Sequence, residues 1–112
     1  MQITTRKEGN VMVVRILEKR LDARTAIEFK ESIEKIVREG NRWIVLNIGA
    51  GEFMDSSFLF VLVSSLRLIW RDGCIVISDA GDTVKSLLTL TKMDKVFQMF
   101  ADEETAVKFL ST

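Results

Sequence analysis

Short apolar runs alternate with amphipathic stretches along this 112-residue chain. Residues 2–7 alternate weakly, which predicts an edge strand, and residues 11–17 are rich in β-branched side chains, which predicts a more buried strand. Between them, Gly9-Asn10 is typical of a tight turn. Asp22 and Gly40 predict the start and the end of a first helix. The apolar positions expected on its buried face are Ala26, Ile27, Phe29, Ile33, Ile36 and Val37.

The rest of the chain continues as alternating strands and helices. We expect strands at residues 43–48, 74–78 and 96–100, and helices at about 56–71, 84–88 and 102–110, the last capped by Asp102. This order predicts an α/β fold, a mixed β-sheet of about four to five strands with helices packed against it. No linker or repeat interrupts the sequence, so residues 1–112 are predicted to form one domain.

The charge balance and the absence of histidine narrow the classes of function. Sixteen Lys and Arg residues balance sixteen Asp and Glu residues. A neutral chain is a poor candidate for nucleic-acid binding, which depends on clustered cations. The chain has no histidine and a single cysteine, Cys74, so it lacks the commonest general base and metal ligand. We therefore expect no enzymatic activity, no metal site and no cofactor.

The distribution of apolar residues predicts a cytoplasmic protein that does not insert into membranes. The first residues lack the apolar stretch of a signal peptide. The longest wholly apolar run covers residues 58–63, far short of the ~20 residues that a membrane-spanning helix needs.

Asp55-Ser56-Ser57, which follows the turn Gly49-Ala50-Gly51 and opens the second predicted helix, has two interpretations. The simpler one is a helix cap, because Asp and Ser oxygens accept hydrogen bonds from first-turn amides. The other is a phosphorylation site, because free amides and the positive end of the helix dipole stabilise an added phosphate. A phosphate on Ser56 beside Asp55 would repel a partner of the unmodified form without refolding the domain.

The second helix is also unusual in its polar face. Its positions expected to face the sheet are Leu59, Leu62, Val63, Leu66 and Trp70. Its opposite side carries small or apolar residues instead of charges, namely Ser57, Val61, Ser64, Ser65 and Leu68. A docking surface beside Ser56 is one explanation. The alternative is that the final strand or a second copy of the chain covers this side.

Three segments resemble one protein family. Phe53-Met54-Asp55-Ser56-Ser57 resembles the signature of the bacterial anti-sigma-factor antagonists, the stand-alone STAS domains. That signature has an aromatic and an apolar residue, then Asp-Ser-Ser or Asp-Ser-Thr, then Gly-Leu-Gly. Arg20-Leu21-Asp22-Ala23 looks like the family's segment before its first helix. Residues 87–91 together with 93–97 look like its late segment, so the resemblance covers nearly the whole chain.

The resemblance implies a function and a switch residue. In this family the first serine after the aspartate is the phosphoacceptor, which corresponds to Ser56. The partner it implies is a serine kinase that doubles as the anti-sigma factor, and ATP belongs to that kinase. The unphosphorylated antagonist binds the kinase and frees the sigma factor. Phosphorylation ends the binding, and a metal-dependent serine phosphatase restores the first state.

The chain differs from the family pattern at four positions where glycine is usual: Lys19, Phe58, Phe60 and Lys92. We expect the two lysines to alter only local turns, whereas Phe58 and Phe60 add bulk and apolar area beside Ser56. This difference favours a diverged partner. The residues predicted to contact the partner are Asp55, Ser56, Ser57, Phe58, Phe60, Val61, Ser64 and Leu68.

A second hypothesis remains open. The chain would then be a STAS adaptor that is not switched, for example an accessory subunit of a transporter ATPase or of a signalling complex. Phe58 and Phe60 favour this adaptor, and the retained Asp55-Ser56-Ser57 favours the switch.

Overall fold

A computed structural model describes residues 1–69 and 71–111 of the chain. Its strands and helices, in chain order, are β1 (Ile3–Glu8), β2 (Val11–Ile16), β3 (Arg20–Leu21), α1 (Ala23–Arg38), β4 (Trp43–Asn47), β5 (Phe53–Met54), α2 (Ser56–Leu66), β6 (Cys74–Ser78), α3 (Asp82–Leu90), β7 (Met99–Phe100) and α4 (Glu103–Ser111). A short 3₁₀ turn, Met93–Lys95, lies between α3 and β7.

Five of the strands form a mixed sheet in the order β1-β2-β4-β6-β7. β1 lies at one edge and pairs antiparallel with β2, and the remaining neighbours are parallel. Glu8 pairs with Val11 across the predicted turn, where Gly9 has φ +60°, a left-handed conformation that glycine adopts without steric cost. The predicted edge strand, hairpin and mixed sheet are confirmed.

Apolar side chains alternate between the two faces of this sheet and meet helices on both. On one face Val14, Leu46 and Ile77 pack with Phe29 of α1 and with residues of α2 and α3. On the other face a smaller cluster of valines packs against Ala106 of α4. The predicted α/β architecture, with helices packed on a mixed sheet, is therefore confirmed.

Both predicted ends of the first helix are confirmed. The carboxylate of Asp22 accepts a hydrogen bond from the amide of Thr25 at 3.2 Å, and this bond is the main reason why the pKa of Asp22 is lowered. Gly40, just past the helix, has φ +101°. The prediction that Ile27 belongs to the buried face is wrong. Its side chain is 64% exposed, on the flank of α1 that faces α2.

Two element boundaries also differ from the prediction. α2 ends at Leu66 instead of near residue 71, and Arg67, Leu68 and Ile69 continue as tight turns. The last strand begins at Met99 instead of at residue 96, because the preceding residues form the 3₁₀ turn and bury Phe97 in the core. Lys92, at the start of that turn, has φ +62°, a conformation in which glycine would be less strained.

Glu103, in the first turn of α4, joins the helix to three strands. Its carboxylate accepts hydrogen bonds from Arg15 at 2.6 and 2.9 Å, from Asn47 at 2.6 Å and from Arg6 at 2.8 Å. Its side chain is only 11% exposed. The bond from Arg15 is the largest cause that lowers the pKa of Glu103 to about 2; burial opposes it, and the bonds from Asn47 and Arg6 add to it.

We expect Glu103→Gln to lower the free energy of unfolding near pH 7 by about 1–2 kcal/mol, because charge-assisted hydrogen bonds become neutral ones. The folded pKa lies below the ordinary value, so the carboxylate stabilises the parent above about pH 5 and this contribution is lost as the pH falls toward about 2. Urea unfolding between pH 7 and pH 2.5 should therefore show a shallower acid loss in Glu103→Gln than in the parent.

Glu104→Gln is the matched control, because Glu104 is exposed on the same helix and pairs with the exposed Lys108. Its acid profile should follow that of the parent. A Glu103→Gln profile parallel to that of the parent would contradict the role given to this carboxylate.

Candidate functional site

Two short strands hold the predicted switch segment against the start of α1. β3 and β5 form a separate parallel pair in which Arg20 lies beside Phe53 and Leu21 beside Met54. The carbonyl of Lys19 accepts hydrogen bonds from the amides of Glu52 and Phe53 at 2.8 and 3.1 Å. Two of the three segments that resemble the family are thus adjacent in the fold. The sequence did not predict this pair, because two residues are too short to display an alternating pattern.

Side-chain packing tightens the same contact. A Cβ atom at Gly51 would lie 2.8 Å from Cδ1 of Leu21 and 3.2 Å from the carbonyl oxygen of Ile48, so a larger residue at this position would force the buried Leu21 side chain to shift. On the exposed side, the guanidinium of Arg20 lies 4.5 Å from the centre of the Phe53 ring. The segment that leads into α2 is therefore held by Leu21 on its buried side and by the contact between Arg20 and Phe53 on its exposed side.

Asp55 caps α2 and holds Ser56 at its first position. The amide of Asp55 donates to the carbonyl of Leu21 at 3.1 Å. Its carboxylate accepts from the amides of Ser57 and Phe58 at 2.9 and 3.1 Å, so the helix-cap interpretation is correct. Those two amides are consequently engaged, which corrects the expectation that free amides would receive a phosphate. Ser56 and Ser57 are exposed.

Phe58 does not lie on the surface, contrary to the prediction that it contacts a partner. Its side chain is 0% exposed, and its ring centre lies 5.2 Å from that of Phe29 on α1. The buried stripe of this region is Phe58, Leu62, Ser65 and Ile69. Of the residues expected to face the sheet, Leu62 is buried as predicted, and Leu59, Val63 and Leu66 are partly buried and pack against the core. Trp70 lies outside the described residues.

The error in the phase of α2 has a clear cause. All eleven residues of the helix are serine or apolar, so more than one side could have been the buried one. Ser65, predicted on the docking side, is 2% exposed and satisfies its hydroxyl by donating to the carbonyl of Leu62 at 2.6 Å. The cap at Asp55 and the packing on α1 decide which side faces inward.

Phe60 is the most prominent apolar side chain on the outer side of α2. It is 61% exposed and lies one helical turn after Ser56, on the same side of the helix. Beside it, a groove of about 390 Å³ is lined by Ser56, Leu59, Phe60, Val63, Ser64, Arg67 and Met93. Met93 comes from the late segment and was not predicted at the site, although that segment was one of the three that resembled the family.

Three other predicted residues, Ser57, Val61 and Leu68, lie on the opposite flank of α2, and Ser64 borders both flanks. A second groove, of about 540 Å³, separates α2 from α1 and contains Ser57, Val61 and the exposed Ile27. Ser64 and Leu68 border a smaller cavity next to it, and Leu68 is 41% exposed just beyond the end of the helix. The seven predicted residues other than Phe58 therefore lie along one ridge, formed by the exposed side of α2 and its start. Asp55 is the charged member of this set, and Lys30, Glu31 and Glu34 of α1 line the groove beside the ridge.

The last strand does not cover this ridge. β7 pairs with β6 at the edge of the central sheet, so one of the two alternative explanations for the uncharged side of α2 is wrong. Among residues 1–69 and 71–111, no group of three or more acidic, histidine or cysteine side chains is arranged to hold a metal ion. No helix in that part of the chain is long and apolar enough to cross a membrane.

Sequence comparison assigns the chain to a family. The sequence model of the STAS domain family matches residues 2–106. The chain belongs to the STAS domain family. The match includes all three segments that resembled the family. Two of them meet beside Ser56, and the third contributes Met93 to the adjacent groove.

Several solved structures share this fold at low sequence identity. An anti-sigma-factor antagonist domain protein from Planctomyces limnophilus is 19% identical, with 98% of each chain covered and a TM-score of 0.90. The phosphorylated form of SpoIIAA, a Bacillus cell fate determinant, is 18% identical, with 97% of this chain and 99% of that chain covered and a TM-score of 0.74. A sulfate transporter family protein from Wolinella succinogenes is 13% identical, with 93% and 87% covered and a TM-score of 0.80.

The placement of the two phenylalanines predicts that the same substitution affects stability strongly at one position and hardly at the other. Phe58→Ala should lower the free energy of unfolding by about 3–5 kcal/mol, because it leaves a cavity against Phe29. Phe60→Ala should change it by no more than about 0.5 kcal/mol, because that ring is in water. Urea unfolding of both variants measures this difference. Equal and small effects would mean that Phe58 is not a core residue.

Proposed function

We propose that this protein is an anti-sigma-factor antagonist, acting as one STAS domain over residues 1–112 in the bacterial cytoplasm. It binds a serine kinase that is also an anti-sigma factor while Ser56 is unmodified, and it releases that kinase when Ser56 is phosphorylated. The observation that carries the proposal is the position of Ser56, exposed at the start of an uncharged helix and on the rim of an apolar groove.

The ridge around α2 is the proposed binding surface. Its exposed or partly exposed residues offer apolar area and small hydroxyl groups, a composition that suits burial by another protein. The residues proposed to contact the kinase are Asp55, Ser56, Ser57, Phe60, Val61, Ser64 and Leu68. Phe58 is excluded because its side chain is buried.

Phosphorylation would act on this surface through charge. A phosphoserine carries about −1.5 to −2 charges at pH 7. Because the amides of Ser57 and Phe58 already donate to Asp55, the new dianion would remain in solvent beside that carboxylate. Binding would then require two neighbouring negative charges to lose water against an apolar partner surface, which opposes docking.

The chain itself performs no chemical step in this proposal. The Oγ of Ser56 would attack the γ-phosphorus of the ATP held by the kinase, its proton would leave, and ADP would be released. A serine phosphatase would then hydrolyse the phosphoserine to serine and inorganic phosphate. No contact with nucleic acid is proposed for this chain.

A STAS adaptor of a transporter ATPase or signalling complex is the second candidate. Two observations favour it: the likeness in fold to the Wolinella succinogenes sulfate transporter family protein, and the exposed Phe60 next to Ser56. Phe58 no longer supports it, because a buried ring adds nothing to the surface. An adaptor would need the ridge but no phosphate on Ser56.

The first test is phosphorylation by the cognate serine kinase with ATP, followed by mass spectrometry. We expect one phosphate on the parent and on Ser57→Ala, and none on Ser56→Ala. In binding titrations with the same kinase, Ser56→Asp should weaken the affinity about 100-fold, because a charge is placed at the rim of the interface.

Ser57→Asp controls for added charge on the neighbouring exposed serine and should weaken binding less than Ser56→Asp does. An unmodified Ser56 together with a Ser56→Asp variant that binds as tightly as the parent would contradict the switch and favour the adaptor.

A further inference from the structure

The surface groove of about 390 Å³ beside Phe60, the Ser56 groove, runs along one face of α2. Six of its lining residues belong to α2 or directly follow it, and they are spaced three and four positions apart: Ser56, Leu59, Phe60, Val63, Ser64 and Arg67. Such spacings place side chains in one stripe along a helix. The helix rises about 16 Å from the first of these residues to the last, so the groove can receive a segment of another chain.

Met93 lines the Ser56 groove from a different element. It lies in the 3₁₀ turn between α3 and β7, and its carbonyl accepts a hydrogen bond from the amide of Phe97 at 2.8 Å. Because Phe97 is 1% exposed, this bond ties the backbone of the turn to the core. The Met93 side chain packs partly against the core, and methionine adapts its shape to different apolar surfaces.

Arg67 is the charged residue of the Ser56 groove. It is exposed, and in the described part of the chain no group forms a hydrogen bond or a salt bridge with its guanidinium. A guanidinium is weakly hydrated and pairs well with carboxylates at interfaces. A complementary partner therefore has apolar side chains along the groove and an Asp or Glu side chain opposite Arg67.

The groove on the other flank of α2, between α1 and α2, has a different composition. Its charged residues are Lys30, Glu31 and Glu34. Phenylalanine, methionine and arginine are enriched at protein interfaces, whereas lysine and glutamate are depleted. The favoured types, represented by Phe60 and Met93 as well as Arg67, thus lie on the flank that contains Ser56.

We infer that the kinase anchors in the Ser56 groove through an apolar segment that carries a carboxylate, with Met93 and Arg67 as binding residues beside Phe60. This inference rests on the proposed function and adds two residues to the contact set. The α1 flank lies outside the anchor, so its residues contribute little to the affinity. Because Ser56 lies at one end of the same groove, a phosphate there would meet the anchoring segment itself.

Titration of the unphosphorylated full chain with the cognate serine kinase, at two salt concentrations, tests this inference. Met93→Ala should weaken the affinity at least about tenfold, because an apolar anchor is lost. Arg67→Gln should weaken it by a similar factor. Its affinity should also fall less with added salt than that of the parent, because one ion pair is missing. Urea unfolding checks that both variants remain folded.

Two variants on the α1 flank are the matched controls. Ile27→Ala removes an apolar side chain that is 64% exposed, close to the 61% of Phe60. Glu31→Gln removes a charge from an exposed residue of the other groove. Both variants should bind the kinase within about twofold of the parent.

The parental affinity of either Met93→Ala or Arg67→Gln would overturn the inference, while the proposed function would stand if the parent binds the kinase and Ser56 is phosphorylated. Ile27→Ala and Glu31→Gln variants that bind as weakly as the two groove variants would also overturn it, because the anchor would then include the α1 flank. A parent chain that does not bind the kinase would contradict the proposed function and, with it, this inference.

Discussion

The geometry of the candidate site depends on the way Asp55 is held. Its amide bonds to Leu21 across the β3–β5 pair, and its carboxylate caps the first turn of α2. The first contact fixes where the helix begins, and the second holds its first turn. From that start Phe58 packs inward on Phe29, while Ser56 and Phe60 are exposed. The cap and this packing together decide which side of α2 faces solvent.

The two faces of the sheet are stabilised in different ways. The face under α1, α2 and α3 is a large apolar cluster that contains most of the fully buried side chains. The face under α4 combines a few valines with polar side chains that converge on Glu103. Because the proposed binding ridge lies over the apolar cluster, changes at α4 need not disturb it.

Local signals in the sequence predicted much of the fold, and non-local ones were missed. Asp22, Asp55 and Asp102 each cap a helix as predicted, because a cap is encoded by residues only three positions apart. The alternation of strands and helices predicted the mixed sheet in the same way. By contrast, Glu103 accepts hydrogen bonds from Arg15 and Arg6, which lie 88 and 97 positions away in the sequence. No local sequence pattern predicts such contacts.

At the candidate site the sequence correctly predicted that Ser56 opens α2, and it was wrong about the orientation of Phe58. The run of apolar residues in α2 contains no charge to mark its outer side, so periodicity could not choose the buried one. Tertiary packing on Phe29 made that choice. The most direct test of the proposed function is a titration of the isotopically labelled protein with the cognate serine kinase, followed by backbone NMR. The account predicts that the largest shift changes occur around Ser56, Phe60 and Ser64 and disappear when Ser56 is phosphorylated; changes centred on α4 and unaffected by phosphorylation would contradict it.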